Sequence, residues 1–479
     1  MKHIIIIFAV TIIFALGNSC SDLDLAPISS MTTGSMWRST DDAVGAKYGM
    51  YDLFREAFAD NYQWYTELRT GYYIFGTTYV DLYRPHLDNQ LDPGTLGSDW
   101  QDFYTLINHT NLILKYVPQI NFNDEDIQNQ ILAEAHFMRA LVYFWLVRIW
   151  GDVPVLTVPL ESDKQSELYP NRNPVSEVYE LIKEDLSEAE SLYPEDHIQP
   201  KYLVNKSAIK MLITDVYLWL YKVENESGAL EKAEEGVNNV LSNTSYNLEP
   251  VFRDIFRNES NSENIFTIYR EDEESGESWF GLTIYRKIDV PKELQNNPVP
   301  VGNDQKFAYS DLAWEIFHED DNDQRAKETI DSLHTSTRLF MWGEKYSGDY
   351  IGKRRFDQNQ HVYRFAEALL FKAEIENEKG NATASVSYLN KIAERAYGVA
   401  DYYSSTLSKD KIDEAILNER AKEFFFEGRY WWDLIRFDKV FKEVPNLVGR
   451  ENEQNVLLWP VSYNTINRNN KIEQTPGYY

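Results

Sequence analysis

The sequence predicts an irregular all-α protein of helices joined by short turns, interrupted by one large loop-rich insertion at about 246–357 that contains minor β structure. Three observations lead there. Apolar residues recur at three- and four-residue steps over long stretches, most clearly in NQILAEAHFMRALVYFWLVRIWGDVPVL (129–156), and that spacing gives a helix with an apolar face. Stretches of this kind follow one another across short turns, and each is too narrow to bury its own stripe alone. Between 246 and 357 the period is lost to Gly, Asn, Ser and charged residues, while aromatics stay frequent. No run of equal 34-residue periods is present, so the helices form an irregular array.

Residues 1–19 open with Lys2 and His3, continue with an apolar run from Ile4 to Leu16, and end in small residues. This is an export signal, because the run is shorter than the ~20 residues a membrane-spanning helix needs and polar chain follows it. Cys20 is the only cysteine, so no internal disulfide can form. Acylation explains a lone cysteine in an exported chain, and GNSC (17–20) resembles a lipoprotein cleavage box, with Gly17 where an aliphatic residue is usual. Residues 20–40, with Pro27 and no helical period, read as a lipidated tether. Residues 41–479 read as a single domain, since no Gly/Ser- or Pro-rich linker follows.

Ser39, Thr40 or Asp41 is expected to cap a first helix carrying Ala43, Ala46, Met50, Leu53 and Phe54. A second spans about 100–117, after an irregular stretch at 60–97. The 129–156 helix carries its stripe on Ile131, Leu132, Ala135, Met138, Leu141, Val142, Trp145 and Ile149, with Arg139 and Arg148 off it, and stops at Gly151 and Pro154. Further helices are expected at 175–192, 207–223, 228–241, 362–379 and 382–397, and short β runs at 265–269 and 282–285. The last, EAILNERAKEFFFEGRYWWDLIRF (414–437), reads as one helix with Gly428 on its buried stripe. Its Glu419, Arg420, Glu423, Glu427, Arg429, Asp433 and Arg436 read as a solvated, ion-paired face.

Four pieces carry a family resemblance: LAEAHFMRALVYFWLVRIWGDVPVL (132–156), VYRFAEALLFKAEIENEKGN (362–381), NERAKEFFFEGRYWWDLIRF (418–437) and LLWPVSYNTINRNNKIEQTPGYY (457–479). In this order and spacing the chain resembles the RagB/SusD family of outer-membrane lipoproteins over nearly its whole length. The resemblance implies an all-α SusD-like fold of tetratricopeptide-type helix hairpins, and a lipid-anchored protein of the outer membrane at the cell surface. It further implies capture of oligosaccharide and its delivery to a SusC-like TonB-dependent transporter. Peptide uptake by a RagB-like protein is the alternative, and a surface glycoside hydrolase the third reading.

Composition narrows the partners. A formal charge of −29 repels phosphate backbones, so nucleic acid is not expected. Aromatics make up 14% of the chain, with 12 Trp and 32 Tyr, enough to line a ligand surface as well as a core. The eight histidines show no HExxH pair, and no nucleophile elbow, P-loop or GxGxxG occurs, so neither a metal nor a cofactor is expected. A glycosidase's carboxylate pair would leave no local motif, and it is the resemblance to a family of binding proteins that implies no enzyme. The run HEDDNDQR (318–325) alternates carboxylates as a calcium loop does, but Arg325 stands where that loop needs glycine, so it reads as a solvated turn.

By the resemblance, ligand contacts fall in the N-terminal irregular region and the insertion. In YQWYTELRTGYY (62–73) the candidates are Trp64, Tyr65, Arg69, Tyr72 and Tyr73, and in the insertion Trp279, Phe280 and Trp342. Glu67-Leu68-Arg69 resembles a recurrent family piece that usually continues with Asp where this chain has Gly71. Trp64 and Trp279 lie in irregular chain, outside any helical stripe, as platforms on which a sugar face would stack. Arg69, Tyr72 and Tyr73 would supply hydrogen bonds at its edge. Packing within the loop is the alternative for each ring.

Overall fold

The Ser39 hydroxyl accepts a hydrogen bond from the Asp42 amide while the Asp42 carboxylate accepts one from the Ser39 amide, and this capping box starts helix α1 (Thr40–Phe58). The computed structural model describes residues 36–59, 61–194, 200–258, 260–271, 278–302 and 304–478. The expected leader, Cys20 and the tether up to residue 35 lie outside the described residues.

The longer helices that follow are α2 (Gln101–Tyr116), α3 (Glu125–Trp150), α4 (Val175–Leu192), α5 (Lys206–Lys222), α6 (Ala229–Ser242), α7 (Phe365–Glu378), α8 (Ala382–Tyr397) and α9 (Lys409–Glu423), then the short α10 (Tyr430–Arg436). Helix α3 packs on α1, α2 and α4; α5 packs on α6, α6 on α7, and α7 on α8 and α9. Neighbours in sequence are neighbours in space, as short turns require. Helix α3 ends at Gly151, with φ +73°. It is buried on more than the expected stripe: Arg139 donates to both oxygens of Asp185 on α4, at 2.7 and 2.8 Å. The Arg148 guanidinium lies 3.7 Å from the Phe144 ring centroid and 4.6 Å from that of Trp432.

The expected helix at 362–379 begins as a strand. Gln360–Arg364 pairs antiparallel with Asn264–Ile268, and the chain turns helical only at Phe365. This ribbon joins the two ends of the insertion, which explains why the helical period does not extend into it. A second ribbon, Tyr73–Phe75 with Phe307–Tyr309, ties the N-terminal irregular segment to the insertion. Within the insertion Ile330–His334 pairs with Leu339–Gly343, Asp349–Ile351 with Lys353–Arg355, and Tyr285–Arg286 runs parallel to Val301–Gly302.

The stretch 414–437 is not one helix. Helix α9 stops at Glu423, Phe426 and Gly428 both take φ +71°, and α10 starts at Tyr430. The break lets three consecutive phenylalanines face different neighbours. Phe425 meets Tyr72 and Phe317, while Phe426 meets Trp279 and Phe280. The charged face expected to be solvated is buried instead, because the insertion and helix α7 both pack over it, although its ion pairing is present. Arg364 binds Glu263, Glu423 and Glu427; Arg325 binds Glu419 and Asp323; Arg420 pairs with Glu367 and Asp433; and Arg436 pairs with Glu374. Arg325 also carries the end of the 318–325 turn inside, leaving Asp320 to accept from Asn322 and Tyr402. The main apolar core runs from Ala43 to Ile472, and a small separate cluster around Ile284, Val301 and Trp342 sits in the insertion.

Candidate functional site

All eight residues that the sequence offered for ligand contact are buried. Trp64 is 8% exposed and Trp279 2%. One face of the Trp64 ring is covered by Tyr83, stacked at 5.4 Å and 8°, and its edges meet His86 and Phe307. The Tyr65 hydroxyl donates to the Gly97 carbonyl, and its ring meets Trp150 and Trp459. Trp279 donates its indole N–H to the Tyr62 hydroxyl at 3.1 Å, and Phe280 stacks on Tyr346 at 4.4 Å. Trp342 donates to Glu344. Tyr72 stacks on Tyr430 at 4.8 Å and 4°. The Tyr73 hydroxyl donates to Glu67 at 2.9 Å.

Arg69 points away from solvent altogether. Its guanidinium donates to Asn89 and to the carbonyls of Val456 and Leu457, and sits 4.1 Å from the Trp431 ring centroid. Loss of hydration lowers its pKa to about 10. The expectation of exposed platforms is therefore corrected. Two irregular segments, 62–73 and 278–309, lie against each other and against the Phe424–Phe426 corner, so each supplies the other with the apolar cover that a helix stripe would have given.

This aromatic bed carries a surface feature that sequence reasoning passed over. Directly after the buried Tyr73 the chain emerges: Ile74 is 48% exposed, Tyr79 53% and Leu82 53%. The Phe75 and Tyr79 rings meet at 4.5 Å, and the Arg84 guanidinium lies 5.6 Å from both centroids. Arg84 also bonds Asp81 and the Tyr79 hydroxyl, and Asp81 accepts from that hydroxyl. These bonds hold the Asp81 carboxyl below its usual pKa, with the Tyr79 contact the larger cause. An exposed ring is thus fixed in orientation by its own polar neighbours.

The tip is pinned from below. The Gly76 and Thr78 amides donate to the Lys306 and Gln305 carbonyls, at 2.8 and 2.9 Å. At Gly76 a Cβ would come within 2.4 Å of the Gln305 carbonyl oxygen, so the approach requires glycine. Beside it Thr77 donates to Asp289, which also accepts two bonds from Arg286, at 2.7 and 3.1 Å. Tyr83, the ring over Trp64, lies 5.9 Å from the Lys306 amine. A ridge of Phe75, Tyr79 and Arg84 therefore stands next to a hydrogen-bonding shelf of Thr77, Arg286 and Asp289. Such a surface can stack an apolar ring face and grip its edges. The available signal was the turn-rich GTTY (76–79) between a strand and Pro85, with its tyrosine at a loop tip.

The described residues contain no group of three or more His, Cys, Asp or Glu side chains arranged to hold a metal ion. No helix among them is long and apolar enough to cross a membrane.

Known proteins share this architecture and sequence. A family model described as the SusD family matches residues 258–478, and one described as starch-binding associating with outer membrane matches 59–218. A SusD-like protein of Formosa agariphila is 27% identical over 100% of this chain and 99% of its own. The starch-binding protein SusD of Bacteroides thetaiotaomicron is 23% identical over 72% of each. Among solved structures, a SusD superfamily protein of Bacteroides fragilis superposes with a TM-score of 0.80 at 26% identity, covering 92% of this chain and 100% of that one. Bacteroides fragilis NanU gives 0.80 at 25% identity, covering 95% and 99%. With two SusD models spanning both halves and full-length relatives of the same fold, the chain belongs to the SusD/RagB family, a family of binding proteins associated with the outer membrane.

Proposed function

We propose that this protein is a cell-surface glycan-binding lipoprotein, anchored through Cys20, that captures oligosaccharide on the Phe75–Tyr79–Arg84 ridge and delivers it to a SusC-like TonB-dependent transporter. The observation that carries the reading is Tyr79. It is a half-exposed tyrosine, oriented by Arg84 and Asp81, on a loop tip that a buried aromatic bed holds in place. A soluble surface gains nothing from such a ring, whereas a sugar's C–H face stacked on it adds about 0.5–1.5 kcal/mol beyond area burial. The family's description as starch-binding and associating with the outer membrane supports the glycan class and the location. Binding without turnover suffices for this role.

The test is a glycan-array screen followed by titration calorimetry with wild type, Tyr79→Ala and Phe75→Ala. Several-fold weaker binding at an unchanged melting temperature is expected of both variants. Unchanged affinity would move the site elsewhere. Preferential binding of peptides would favour the RagB-like reading, and release of shorter sugars from a labelled oligosaccharide would make the protein a hydrolase.

A further inference from the structure

We infer that the ligand of this ridge is an anionic glycan, one bearing carboxylate or sulfate groups; the inference rests on the glycan-binding reading above. The chain carries 76 acidic and 47 basic side chains, so a cation at its surface has many carboxylates to choose from. Many do so: Lys115, Lys183, Lys210, Lys222, Lys379 and Lys409 each lie on a glutamate. At the ridge Arg84 and Arg286 are paired in the same way, but three further cations gather around the same shelf without a carboxylate of their own. Lys287, Lys306 and Arg338 form no ion pair among the described residues.

Their surroundings explain why. The ridge carboxylates are already engaged, Asp81 by Arg84 and Asp289 by the two-pronged Arg286, which also draws Asp304 to 3.8 Å. The remaining cations rest mainly on aromatic rings, and Arg338 also acts on the Asp289 carboxylate through space without forming an ion pair. The Lys306 amine lies over the Tyr83 ring. The Arg338 guanidinium lies 5.1 Å from the Tyr285 centroid and 4.9 Å from that of Phe340, and donates to the Asp289 carbonyl at 3.4 Å. Lys287 is exposed two residues before Asp289. The three gather around that one residue: Arg338 bonds its carbonyl, Lys287 stands two residues before it, and Thr77, which bonds its carboxylate, is next to Gly76, itself bonded to the Lys306 carbonyl.

Three cations without an ion pair around the Asp289 shelf, which Thr77 joins to the ridge, would attract an anion on a protein whose overall field repels one. That combination selects for a ligand bearing negative charge at the sugar edge, because charge-assisted hydrogen bonds to Lys and Arg are about twice as strong as neutral ones. A neutral glycan would leave the cations as they are and gain only the stacking.

Calorimetry with three probes tests this: an oligogalacturonate for carboxylate, a sulfated galactan oligosaccharide for sulfate ester, and a maltooligosaccharide as the neutral control. Wild type, Tyr79→Ala, Lys306→Gln and Arg338→Gln are compared at low and high salt. The expected result is that at least one anionic probe binds about tenfold or more tighter than the neutral one, that salt weakens it, and that each cation variant loses several-fold in affinity at an unchanged melting temperature. Which anionic probe wins identifies the group. A neutral probe that binds best, depends on Tyr79 and ignores both cation variants would overturn the anionic inference and leave the ridge intact as a glycan site. Anionic binding indifferent to Tyr79→Ala would sink the glycan ridge itself, and with it this inference.

Discussion

The Glu67 carboxylate accepts the Gly428 amide hydrogen at 2.6 Å, bonding the N-terminal irregular segment to the break between α9 and α10 across 361 residues of sequence. Its other oxygen accepts the Tyr73 hydroxyl. The carboxyl is buried, and burial pushes it up to about 7, only partly offset by the Gly428 amide, Tyr73 and Lys345.

A pH dependence follows. The unfolded carboxyl ionises near its ordinary value of 4.5 and the folded one near 7, so between those values the folded state holds more protons. The Glu67 contribution to stability is therefore greatest in acid and falls as pH rises from 4.5 to 7. In Glu67→Gln, which keeps an acceptor for Gly428, that fall should vanish. Thermal melts of both proteins from pH 5 to 8 should show wild type losing ground to the variant as pH rises. A constant difference across the range would mean that Glu67 titrates as an ordinary surface carboxylate.

Gly428 has no room for a side chain. Its φ is +71°, and a Cβ would come within 2.6 Å of the Tyr62 ring. Gly428→Ala should cost about 1–3 kcal/mol of strain and clash, and Gly428→Leu more. Differential scanning calorimetry reads this directly; equal melting temperatures for wild type and both variants would show that the turn relaxes freely.

Trp64→Ala and Trp279→Ala remove rings from the bed beneath the ridge, and each should lower stability by about 3–5 kcal/mol. Chemical denaturation checks this, with Tyr79→Ala as the exposed control that changes little. If Trp64→Ala left the midpoint unmoved, its stack with Tyr83 would not be part of the core.

Arg364 holds three carboxylates, Glu263, Glu423 and Glu427, with no solvent to replace it. Its charge keeps Glu427 down at about 2, burial alone working the other way. Arg364→Met would leave this buried cluster one cation short, with Arg395 still on Glu263 and Glu423 and Lys345 still on Glu427, and should destabilise by about 3–5 kcal/mol at neutral pH. Partial recovery in acid, as these carboxyls take up protons, is expected in the same melts; a loss independent of pH would point to packing instead.

Cys20→Ala should release the protein from the membrane fraction into the soluble one without altering its melting temperature, since an acyl anchor adds nothing to the core. Retention of the variant in the membrane fraction would require another anchor.

The sequence by itself determined most of the helices, though not the break inside 414–437, and the family. The stripe from Ile131 to Ile149, a cap among Ser39, Thr40 and Asp41, and the break at Gly380-Asn381 are local matters of period and turn chemistry, and they reappear within a residue or two in α3, α1 and the α7–α8 turn. Only the tertiary structure decided which side of the irregular chain is inside. Trp64 and Tyr79 both stand in aperiodic, polar stretches, and nothing within a few residues of either tells them apart. One is covered by Tyr83 and the other stands at a tip bonded to Arg84 and Asp81. The same holds for the charged face of α9, which reads as solvated until α7 and the insertion, the latter clasped by Gln360–Arg364 and Asn264–Ile268, pack over it. In a helix or strand the backbone repeat fixes which face a side chain takes, so burial is written in the local sequence. In a loop that repeat is absent, and burial is set by whatever distant segment packs against it.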